Sequence, residues 1–404
     1  MKIIHKRRWP KVLAIVLAIF VVFGAYSFWA LSRSLPTIKP TLISIPKPKP
    51  VATQLAWPST GQAAVGIVGT NIVETNGEQK PAPTASAAKI ITALVVLDKK
   101  PLTKGQQGPI ITMTADDVAR YQDYAAKGGS VVRVSAGEQI SEYQMLQAIM
   151  LPSANNIADS LAVWAFGSMA NYKVAANAYL SSLGLSNTKT GSDASGLAPD
   201  TTSTALDLVH LGKAAMENPV LAEIVGQPST ELPVAGTVKN VNFLLGTDGV
   251  VGIKTGNTEE AGGVFVSAAN TVVDGKVVTV TTAVVGSPSL FVAMKDSLPL
   301  LDSAKANFRT VTAVKAGQVV GSYKSPWDGT VNAYAAADLK TTLWGNQEVS
   351  TSTKLKPLTP STARVGQNVG QLIATRSTGN STVAIKLSTV PTKPSTLWRL
   401  THPF

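Results

Sequence analysis

The amino-acid sequence predicts an α+β fold, in which helices pack on an antiparallel sheet, followed by a small all-β domain. A strand-and-turn pattern at residues 63–73 comes before a block of helical patterns. Three Val/Thr/Gly-rich runs follow that block, separated by turn signals, at residues 248–255, 262–269 and 276–285. Strands on both sides of a helical block are typical of α+β domains. From about residue 309 onward the helical pattern is absent, which predicts a separate β-rich domain over residues 306–404.

The N-terminus predicts a membrane anchor. A basic segment, residues 1–11, is followed by an uncharged run at residues 12–31. Twenty helical residues span roughly 30 Å, the thickness of the hydrocarbon core of a bilayer. Basic residues stay on the cytoplasmic side, so the rest of the chain is expected outside the cell. A signal sequence cleaved near Ala25-Tyr26-Ser27 is the alternative, and the protein would then be secreted or held in the cell wall. A buried helix of a soluble protein is disfavoured, because no polar face interrupts the run.

Residues 32–56 are rich in proline and lysine, with Pro46, Pro48 and Pro50 alternating with Lys47 and Lys49. Such a composition favours an extended, solvated chain. We therefore expect a linker that holds the next domain, residues 57–305, away from the membrane.

The helical block begins with a run that is apolar on all sides. Residues 86–97 are nearly all apolar and are followed by Pro101, which predicts a buried central helix. Ser141 and Gln144 have the spacing of a capping box, and a helix is expected from there to Pro152. Further helical patterns occupy residues 156–166, 171–183 and 204–225.

The C-terminal region contains an internal repeat. Residues 315–321, Lys-Ala-Gly-Gln-Val-Val-Gly, resemble residues 364–370, Arg-Val-Gly-Gln-Asn-Val-Gly. Two related hairpins in a small β-sandwich of about 95 residues would explain the similarity. Chance similarity between strands rich in glycine and valine is the alternative.

Composition excludes several kinds of site. The 404 residues include no cysteine and three histidines, His5, His210 and His402. Thiol nucleophiles, disulfide frameworks and cysteine-based metal sites are therefore excluded, and a multi-histidine metal site is not expected. The net charge of +12 reflects the N-terminus, because residues 1–50 contain nine of the 36 Lys/Arg and no Asp/Glu. The rest of the chain has 27 basic against 24 acidic residues, so no nucleic-acid partner is expected.

The first motif of chemical interest is Ser86-Ala87-Ala88-Lys89, at the start of the apolar helix. Residues three apart lie on one face of a helix, one turn from each other. A serine hydroxyl needs an adjacent base to act as a nucleophile, and a lysine can be that base when burial lowers its pKa. Alone, the motif is equally consistent with an ordinary helix start.

Two further motifs follow in the chain. Ser153-Ala154-Asn155 lies between two predicted helices, where both polar side chains can project into a cleft or simply cap a helix. Lys254-Thr255-Gly256 ends a predicted strand. There Lys254 and Thr255 can bind a carboxylate and Gly256 can let a ligand approach the backbone, although a plain turn is the alternative.

In this order and context, Ser-x-x-Lys, Ser-x-Asn and Lys-Thr-Gly form a known catalytic set. The sequence thus resembles the penicillin-binding serine peptidases, and most closely the low-molecular-mass D-alanyl-D-alanine carboxypeptidases. The resemblance covers about residues 57–305 and, more loosely, the β-rich domain. It implies a penicillin-binding/β-lactamase-like fold. The flanking segments match as well: Pro83-Thr84-Ala85, Leu151-Pro152, Asp193-Ala194-Ser195-Gly196-Leu197 and Asp248-Gly249-Val250-Val251-Gly252-Ile253.

The resemblance implies a role for each motif residue. Ser86 is the nucleophile, Lys89 takes its proton, and Ser153, with Lys254 nearby, passes that proton to the leaving amine. The backbone N–H groups of Ser86 and Asn257 form the oxyanion hole. The implied reaction removes the terminal D-alanine from peptidoglycan stem pentapeptides.

The resemblance also implies how ligands are bound. Asn155 holds the substrate amide, and Lys254 with Thr255 binds the terminal carboxylate. Gly256 is the third substrate-binding residue of this motif and lets the ligand backbone approach closely. β-Lactam antibiotics are the implied covalent inhibitors, and neither a metal nor an organic cofactor is required. The sequence departs from the family pattern in the segment Glu74–Lys80 and at Asn257, where an aromatic residue or histidine is common. These departures bear on the expected substrate preference and turnover rather than on the chemistry.

Other functions remain open at this level. A Ser-His-Asp hydrolase would need His210 as its base, but His210 lies in a helical pattern and no Gly-x-Ser-x-Gly motif precedes it. A β-lactamase would need a deacylating glutamate between the second and third motifs, and the contexts of Glu217, Glu223 and Glu231 do not fit. Endopeptidase or transpeptidase activity at the same site, a non-catalytic surface-binding protein and an adhesive β-domain are the remaining alternatives.

Overall fold

A computed structural model of the chain describes residues 9–376 and 379–403. The structure divides into two compact units, each with its own hydrophobic core. One comprises Ala52–Arg309, and the other combines the chain up to Val51 with the chain from Thr310 onward. The second unit therefore contains both the N-terminal helix and the C-terminal strands.

The elements are numbered in chain order. The helices are α1 Trp9–Ser32, α2 Ala88–Lys99, α3 Ala115–Ala126, α4 Glu142–Met150, α5 Asn155–Phe166, α6 Met169–Ser182, α7 Ala205–Glu217, α8 Pro219–Val225, α9 Leu290–Ala306 and α10 Thr396–Thr401. The strands are β1 Pro40–Leu42, β2 Gln62–Ile67, β3 Val73–Asn76, β4 Ala82–Pro83, β5 Ile110–Thr112, β6 Gln139–Ser141, β7 Thr202–Ser203, β8 Ser229–Leu232, β9 Gly236–Lys239, β10 Val250–Thr258, β11 Gly262–Val273, β12 Lys276–Ser287, β13 Phe308–Val314, β14 Val319–Lys324, β15 Thr330–Ala335, β16 Leu339–Trp344, β17 Ser350–Leu355, β18 Asn368–Arg376 and β19 Gly379–Leu387.

The unit Ala52–Arg309 is built on a five-stranded antiparallel sheet with the order β10-β11-β12-β2-β3. Helices α7 and α9 pack on this sheet, and α2 runs through the core with ten of its twelve residues buried. Strand β10 is an edge strand of the sheet, so one of its sides is open to side chains from the helical part. This confirms the α+β fold predicted from the sequence.

Two helices of this unit were not predicted, and one predicted helix is divided. Helix α3 has Val118, Tyr121 and Tyr124 at a spacing of three, and Thr114 and Asp117 form a complete capping box at its start, so both signals were present in the sequence. Helix α9 contains Pro299, a residue that disfavours a helix interior. The helical pattern over 204–225 is two helices, because Asn218 ends α7 and caps α8, which has Pro219 as its first residue.

The second unit is a β-domain with a core of its own. A six-stranded antiparallel sheet has the order β1-β14-β15-β19-β18-β17, and β13 pairs with β16 in a separate two-stranded sheet. Val320, Tyr323, Leu372 and Ile385 are fully buried between them. The β-rich C-terminal domain predicted from the sequence is therefore present.

The internal repeat has a structural counterpart. Segments 315–321 and 364–370 each form a turn that enters a strand, and the third residue of each is a glycine with a φ of +76° or +75°. The side chains of Gln318 and Gln367 accept hydrogen bonds from the first residue of their turns at 3.2 and 3.0 Å. The two strands that follow pair with β15 and β19, which are themselves neighbours.

The linker predicted over residues 32–56 differs from a solvated spacer in its first half. Ile38 is buried in the β-domain and exchanges backbone hydrogen bonds of 2.8 and 2.9 Å with Leu358. Strand β1 then pairs with β14 at the edge of the six-stranded sheet. Proline is tolerated in an edge strand, so Pro40 does not prevent this pairing. The apolar residues between the prolines, which the composition argument ignored, explain the difference.

Candidate active site

Ser86 lies in a short 3-10 helix, residues 85–87, that leads directly into α2. The preceding residue, Ala85, has a φ of +44°, in the left-handed region that a non-glycine residue rarely adopts. The serine is partly exposed, whereas Lys89, one turn further on, is fully buried. The Lys89 amine lies 2.8 Å from the Ser86 hydroxyl, as the helical spacing predicted.

The contacts of Lys89 are compatible with a neutral amine. Its amine lies 2.7 Å from the Asn155 side-chain oxygen and 2.9 Å from the Ser195 carbonyl, two groups that can only accept hydrogen bonds. A neutral amine has two N–H bonds, and these two acceptors take both. Its lone pair then points to its third neighbour, the hydroxyl of Ser86. The geometry suits a neutral lysine that accepts the serine proton.

Burial lowers the pKa of Lys89 to about 7, although the carboxylates of Asp193 and Asp159 act in the opposite direction. A substantial fraction of Lys89 is therefore neutral near neutral pH, as a general base requires.

The second motif connects α4 to α5. Ser153 is almost fully buried and has a φ of +67°, and Asn155 is the first residue of α5. Asn156 holds this junction, because its side chain accepts from Val132 N–H at 3.1 Å and donates to the Val132 carbonyl at 2.9 Å. Within the described part of the chain, the Ser153 hydroxyl has no hydrogen-bond partner, and its proposed partner is a substrate group.

The third motif lies on β10, the edge strand. Lys254 and Thr255 are buried, and a side chain on Gly256 would come within 3.0 Å of the Thr84 carbonyl and 3.1 Å of the Ser86 nitrogen. A Cβ atom here would crowd the start of the helix that carries the nucleophile, so glycine favours the close approach of this strand. The structure thus brings the first and third motifs together.

Lys254 and Lys89 influence each other's charge. Burial lowers the pKa of Lys254 far below its usual value, and the charge of Lys89 lowers it further. The Lys254 amine donates to the Thr255 carbonyl at 3.1 Å. Two buried amines without a bound anion cannot both be charged at low cost. An anion entering the site would favour the charged form of Lys254.

Asn257, the predicted second donor of the oxyanion hole, is exposed and directly follows Gly256. Its side-chain oxygen accepts a hydrogen bond of 3.2 Å from the Leu290 N–H at the start of α9. This contact fixes the end of β10, and the backbone role of Asn257 stays a prediction.

Sequence reasoning gave no role to the loop 193–198, which supports Lys89. The Asp193 carboxylate accepts hydrogen bonds of 2.5 to 2.7 Å from the backbone N–H groups of Ser195, Gly196 and Ala198. This holds the Ser195 carbonyl against the Lys89 amine. The Asp-x-Ser-Gly sequence, a turn pattern, was the available signal.

Asp159 on α5 was also missed. One of its oxygens accepts from Ala194 N–H at 2.8 Å, and the other accepts from the Tyr124 hydroxyl at 2.7 Å. Burial raises the pKa of this carboxyl. Asp159 ties α3 and α5 to the loop that carries the Ser195 carbonyl, and nothing in its sequence context distinguishes it from an ordinary helix residue.

The structure argues against the two alternative catalytic sets. His210 lines a pocket with Thr70, Lys213 and Glu217, while the neighbour of the Ser86 hydroxyl is Lys89. Glu217 accepts from the Gly69 N–H, Glu223 from the Tyr143 hydroxyl and Glu231 from the Thr237 hydroxyl. These glutamates are engaged in local structure.

We predict that the rate of Ser86 acylation rises with pH through a midpoint of about 7. Only neutral Lys89 accepts a proton, and the neutral fraction grows as the pH passes the lowered pKa of the lysine. The test is the second-order rate of penicillin acylation between pH 5 and pH 9. A rate that is constant or falls over this range would exclude Lys89 as the base.

The fold and these three motifs define a serine peptidase of the penicillin-binding class. The sequence profile of the D-alanyl-D-alanine carboxypeptidase family matches residues 63–289, more than half of the chain. The protein belongs to this family.

Two relatives illustrate the similarity. The chain is 34% identical over 194 residues to the D-alanyl-D-alanine carboxypeptidase DacB2 of Mycobacterium tuberculosis, covering 46% of this chain and 62% of that protein. It is 32% identical over 251 residues to the D-alanyl-D-alanine carboxypeptidase DacC of Escherichia coli, covering 61% of each. The matched region thus spans about three fifths of the length of these curated relatives.

Solved structures agree on the fold. Penicillin binding protein 5 from Haemophilus influenzae superposes with a TM-score of 0.57 at 21% identity, covering 86% of this chain and 99% of that one. The Streptomyces K15 DD-transpeptidase superposes with a TM-score of 0.53 at 23% identity, covering 65% of this chain and 98% of that one. The second protein corresponds in extent to a catalytic unit without the β-domain.

Proposed function

We propose that the protein is a serine-type D-Ala-D-Ala carboxypeptidase that removes the terminal D-alanine from peptidoglycan stem pentapeptides. The same serine would bind penicillin covalently. The observation that carries the proposal is the Lys89 amine 2.8 Å from the Ser86 hydroxyl, with acceptors for both of its N–H bonds.

In the acylation step, the Ser86 oxygen attacks the carbonyl carbon of the penultimate D-alanine while its proton passes to Lys89. The developing oxyanion would accept hydrogen bonds from the backbone N–H groups of Ser86 and Asn257. The C–N bond then breaks as the leaving nitrogen takes a proton through Ser153, with Lys254 nearby. The products are free D-alanine and an ester on Ser86.

The terminal carboxylate of the substrate is the anion proposed for Lys254 and Thr255. The lowered pKa of Lys254 supports this, because a buried amine gains the most from an entering carboxylate. The Asn155 side-chain oxygen is occupied by Lys89, so its NH₂ group is the part left to donate to the substrate amide. Water finally hydrolyses the ester and returns Ser86 to its free state.

We predict long-lived penicillin labelling together with release of D-alanine. In class A β-lactamases a glutamate positions the deacylating water, and the three glutamates between the second and third motifs are engaged elsewhere. The bulky penicilloyl group should therefore persist on Ser86. The peptide ester leaves the site open to water once D-alanine has departed, so it should be hydrolysed. The assay combines fluorescent penicillin with D-alanine release from a pentapeptide, and mass spectrometry locates the adduct.

The outcomes separate the alternatives. An adduct on Ser153 or another residue would overturn the assignment of the nucleophile. Fast penicillin hydrolysis without D-alanine release would indicate a β-lactamase. Cleavage of a cross-linked peptide dimer in preference to the pentapeptide would indicate an endopeptidase.

We further propose that α1 is an uncleaved membrane anchor with residues 52–309 outside the cell. The helix has 24 residues, and its large apolar side chains from Val12 to Phe23 are exposed to the surroundings rather than packed on the protein. Helix α1 is the single membrane-span candidate within the described residues. We expect the full chain in the membrane fraction with its N-terminus intact. Recovery of a form beginning near Phe28 in the medium would show a cleaved signal sequence.

A further inference from the structure

The β-domain is attached to the chain immediately after α1. Helix α1 ends at Ser32, and Ile38 is already paired with Leu358 inside the β-domain. Six residue steps reach at most about 20 Å. The β-domain, although last in the sequence, is therefore held within that distance of the outer end of α1.

The direction of β1 fixes which end of the β-domain is near that helix. Pro40 pairs with Tyr323 and Leu42 with Gly321, so the chain coming from α1 enters beside the 325–329 turn. It then runs along β14 toward the 315–318 turn, about 20 Å away. The 325–329 turn is thus the proximal end of the domain, and the 315–318 turn is the distal end.

Helix α10 contacts the last turns of α1 at this proximal end. The Tyr26 hydroxyl donates to the Leu400 carbonyl at 2.6 Å, and the Arg33 guanidinium donates to the Arg399 carbonyl at 3.1 Å. The Arg399 guanidinium in turn donates to the Arg33 carbonyl. These contacts connect the C-terminus of the chain to the exit point of the membrane helix.

Aromatic rings and cations concentrate around the same point. The Trp29 ring lies 5.9 Å from that of Tyr26 and 5.1 Å from the Arg33 guanidinium. On the β-domain, Trp327 and Trp398 make an edge contact at 5.2 Å. Tryptophan and tyrosine concentrate where a protein crosses the lipid–water interface. An arginine near the end of a membrane helix can extend its charged group to the same interface. Leu397 on α10 is 70% exposed beside them.

The charge of the chain is segregated between its two units. Residues 310–404 contain ten Lys/Arg and three Asp/Glu, whereas residues 52–309 contain 17 Lys/Arg and 21 Asp/Glu. Residues 310–404 thus have a net charge of +7, and residues 52–309 have a net charge of −4. The sequence-based interpretation that the basic charge belongs to the N-terminus was therefore incomplete.

We propose that the proximal end of the β-domain lies on the outer leaflet and binds anionic phospholipid headgroups, with Leu397 and the neighbouring tryptophans entering the interface. The inference rests on the proposed role of α1 as a membrane anchor. Lys324 ends β14, and Lys393 follows Thr392, whose carbonyl accepts a hydrogen bond from the Trp327 indole. Both lysines are exposed and provide charge for the headgroups, against one exposed carboxylate in the same turn, that of Asp328. In this proposal the membrane surface binds the β-domain directly, in addition to holding helix α1.

Because the sequence contains no cysteine, a spin label reacts only with the cysteine that is introduced. Single-cysteine variants L397C at the proximal end, A316C at the distal end and L17C within α1 are spin-labelled in the full chain. The protein is reconstituted in vesicles of phosphatidylcholine with phosphatidylglycerol, and accessibility to oxygen and to a polar nickel complex is measured. We expect label 17 in the hydrocarbon, label 397 in the interface and label 316 in water.

The labels distinguish two kinds of failure. If label 17 is outside the hydrocarbon, the anchor proposal fails. If label 17 is inside but label 397 is as water-exposed as label 316, the anchor stands and the surface proposal is overturned.

Two charge-reversal pairs test the headgroup contact. In the L397C background, K324E with K393E removes basic charge at the proximal end, and K315E with K340E makes the same change at the distal end. Each basic residue near an anionic surface changes affinity about fivefold. We expect the proximal pair to reduce immersion of label 397 strongly and the distal pair to leave it unchanged. Equal effects of the two pairs, or release of the label by soluble polyglycerol phosphate as a probe of wall polymers, would overturn the proposal.

Discussion

Replacing Lys89 with arginine is expected to reduce the rate of Ser86 acylation by penicillin by about 10²- to 10⁴-fold, the usual contribution of a general base. Arginine keeps a positive charge but cannot be deprotonated in a protein, so it cannot receive the serine proton. The larger guanidinium must also fit a position that is fully buried and meets acceptors from Asn155 and Ser195. Stopped-flow acylation with a fluorescent penicillin measures the rate.

Lys213→Arg is the matched control. Lys213 is also buried, and its amine donates to the Thr70 carbonyl, an interaction that a guanidinium can replace. It lines the pocket of His210, away from the three motifs. We expect its acylation rate to stay within a few-fold of the parent. An equally active Lys89→Arg variant would remove Lys89 from the role of base, and equal losses in both variants would indicate a general effect of a buried arginine.

The sequence predicted the proximity of Ser86 and Lys89 but not the structure that supports them. Ser86 and Lys89 were found because helix periodicity converts a spacing of three into proximity. The proximity of Gly256 to Ser86 is a long-range contact between an edge strand and a helix start, and no local pattern encodes that distance. The similarity to known catalytic motifs, rather than periodicity, connected them.

The supporting residues escaped detection for a physical reason. Asp159 acts through its contacts with Ala194 and Tyr124, which lie 35 residues away in the sequence on either side. An aspartate of this kind in a helical pattern is indistinguishable from a solvated one until the tertiary structure is known.

The pairing of Ile38 and β1 with the β-domain was missed for a similar reason. Composition favours solvation of a proline-rich segment, but one buried residue, Ile38, and the backbone pairing of the three-residue strand β1 are sufficient to attach it to the sheet edge. The net charge of the whole chain likewise concealed the opposite charges of the two units.

Gly196→Ala is expected to be among the most damaging single changes in the catalytic unit, although it adds one methyl group. Gly196 has a φ of +74°, and a Cβ atom there would lie 2.1 Å from the Ala85 carbonyl oxygen and 2.6 Å from the Ala88 Cβ. The left-handed backbone costs about 1–2 kcal/mol for alanine, and overpacking adds about 1–3 kcal/mol. Relief of the contact must move Ala85, the residue before the nucleophile, and a displacement of about 1 Å can reduce the rate 10²-fold.

Gly128→Ala separates the two causes. Gly128 has a similar φ of +69°, but a Cβ atom there would meet no atom within 4 Å. The Gly128→Ala variant should therefore lose only the stability that the left-handed backbone costs alanine, about 1–2 kcal/mol of the free energy of unfolding. Its acylation rate should stay normal. Pulse proteolysis in urea measures the stability of residues 52–309 in the full chain, and the penicillin acylation rate without urea measures the placement of Ser86. If the loop 193–198 holds the helix start as the structure indicates, Gly196→Ala loses more than Gly128→Ala in both measurements. Equal stabilities and equal acylation rates for the two variants would mean that the loop adjusts to the methyl group without cost and does not fix the position of Ser86.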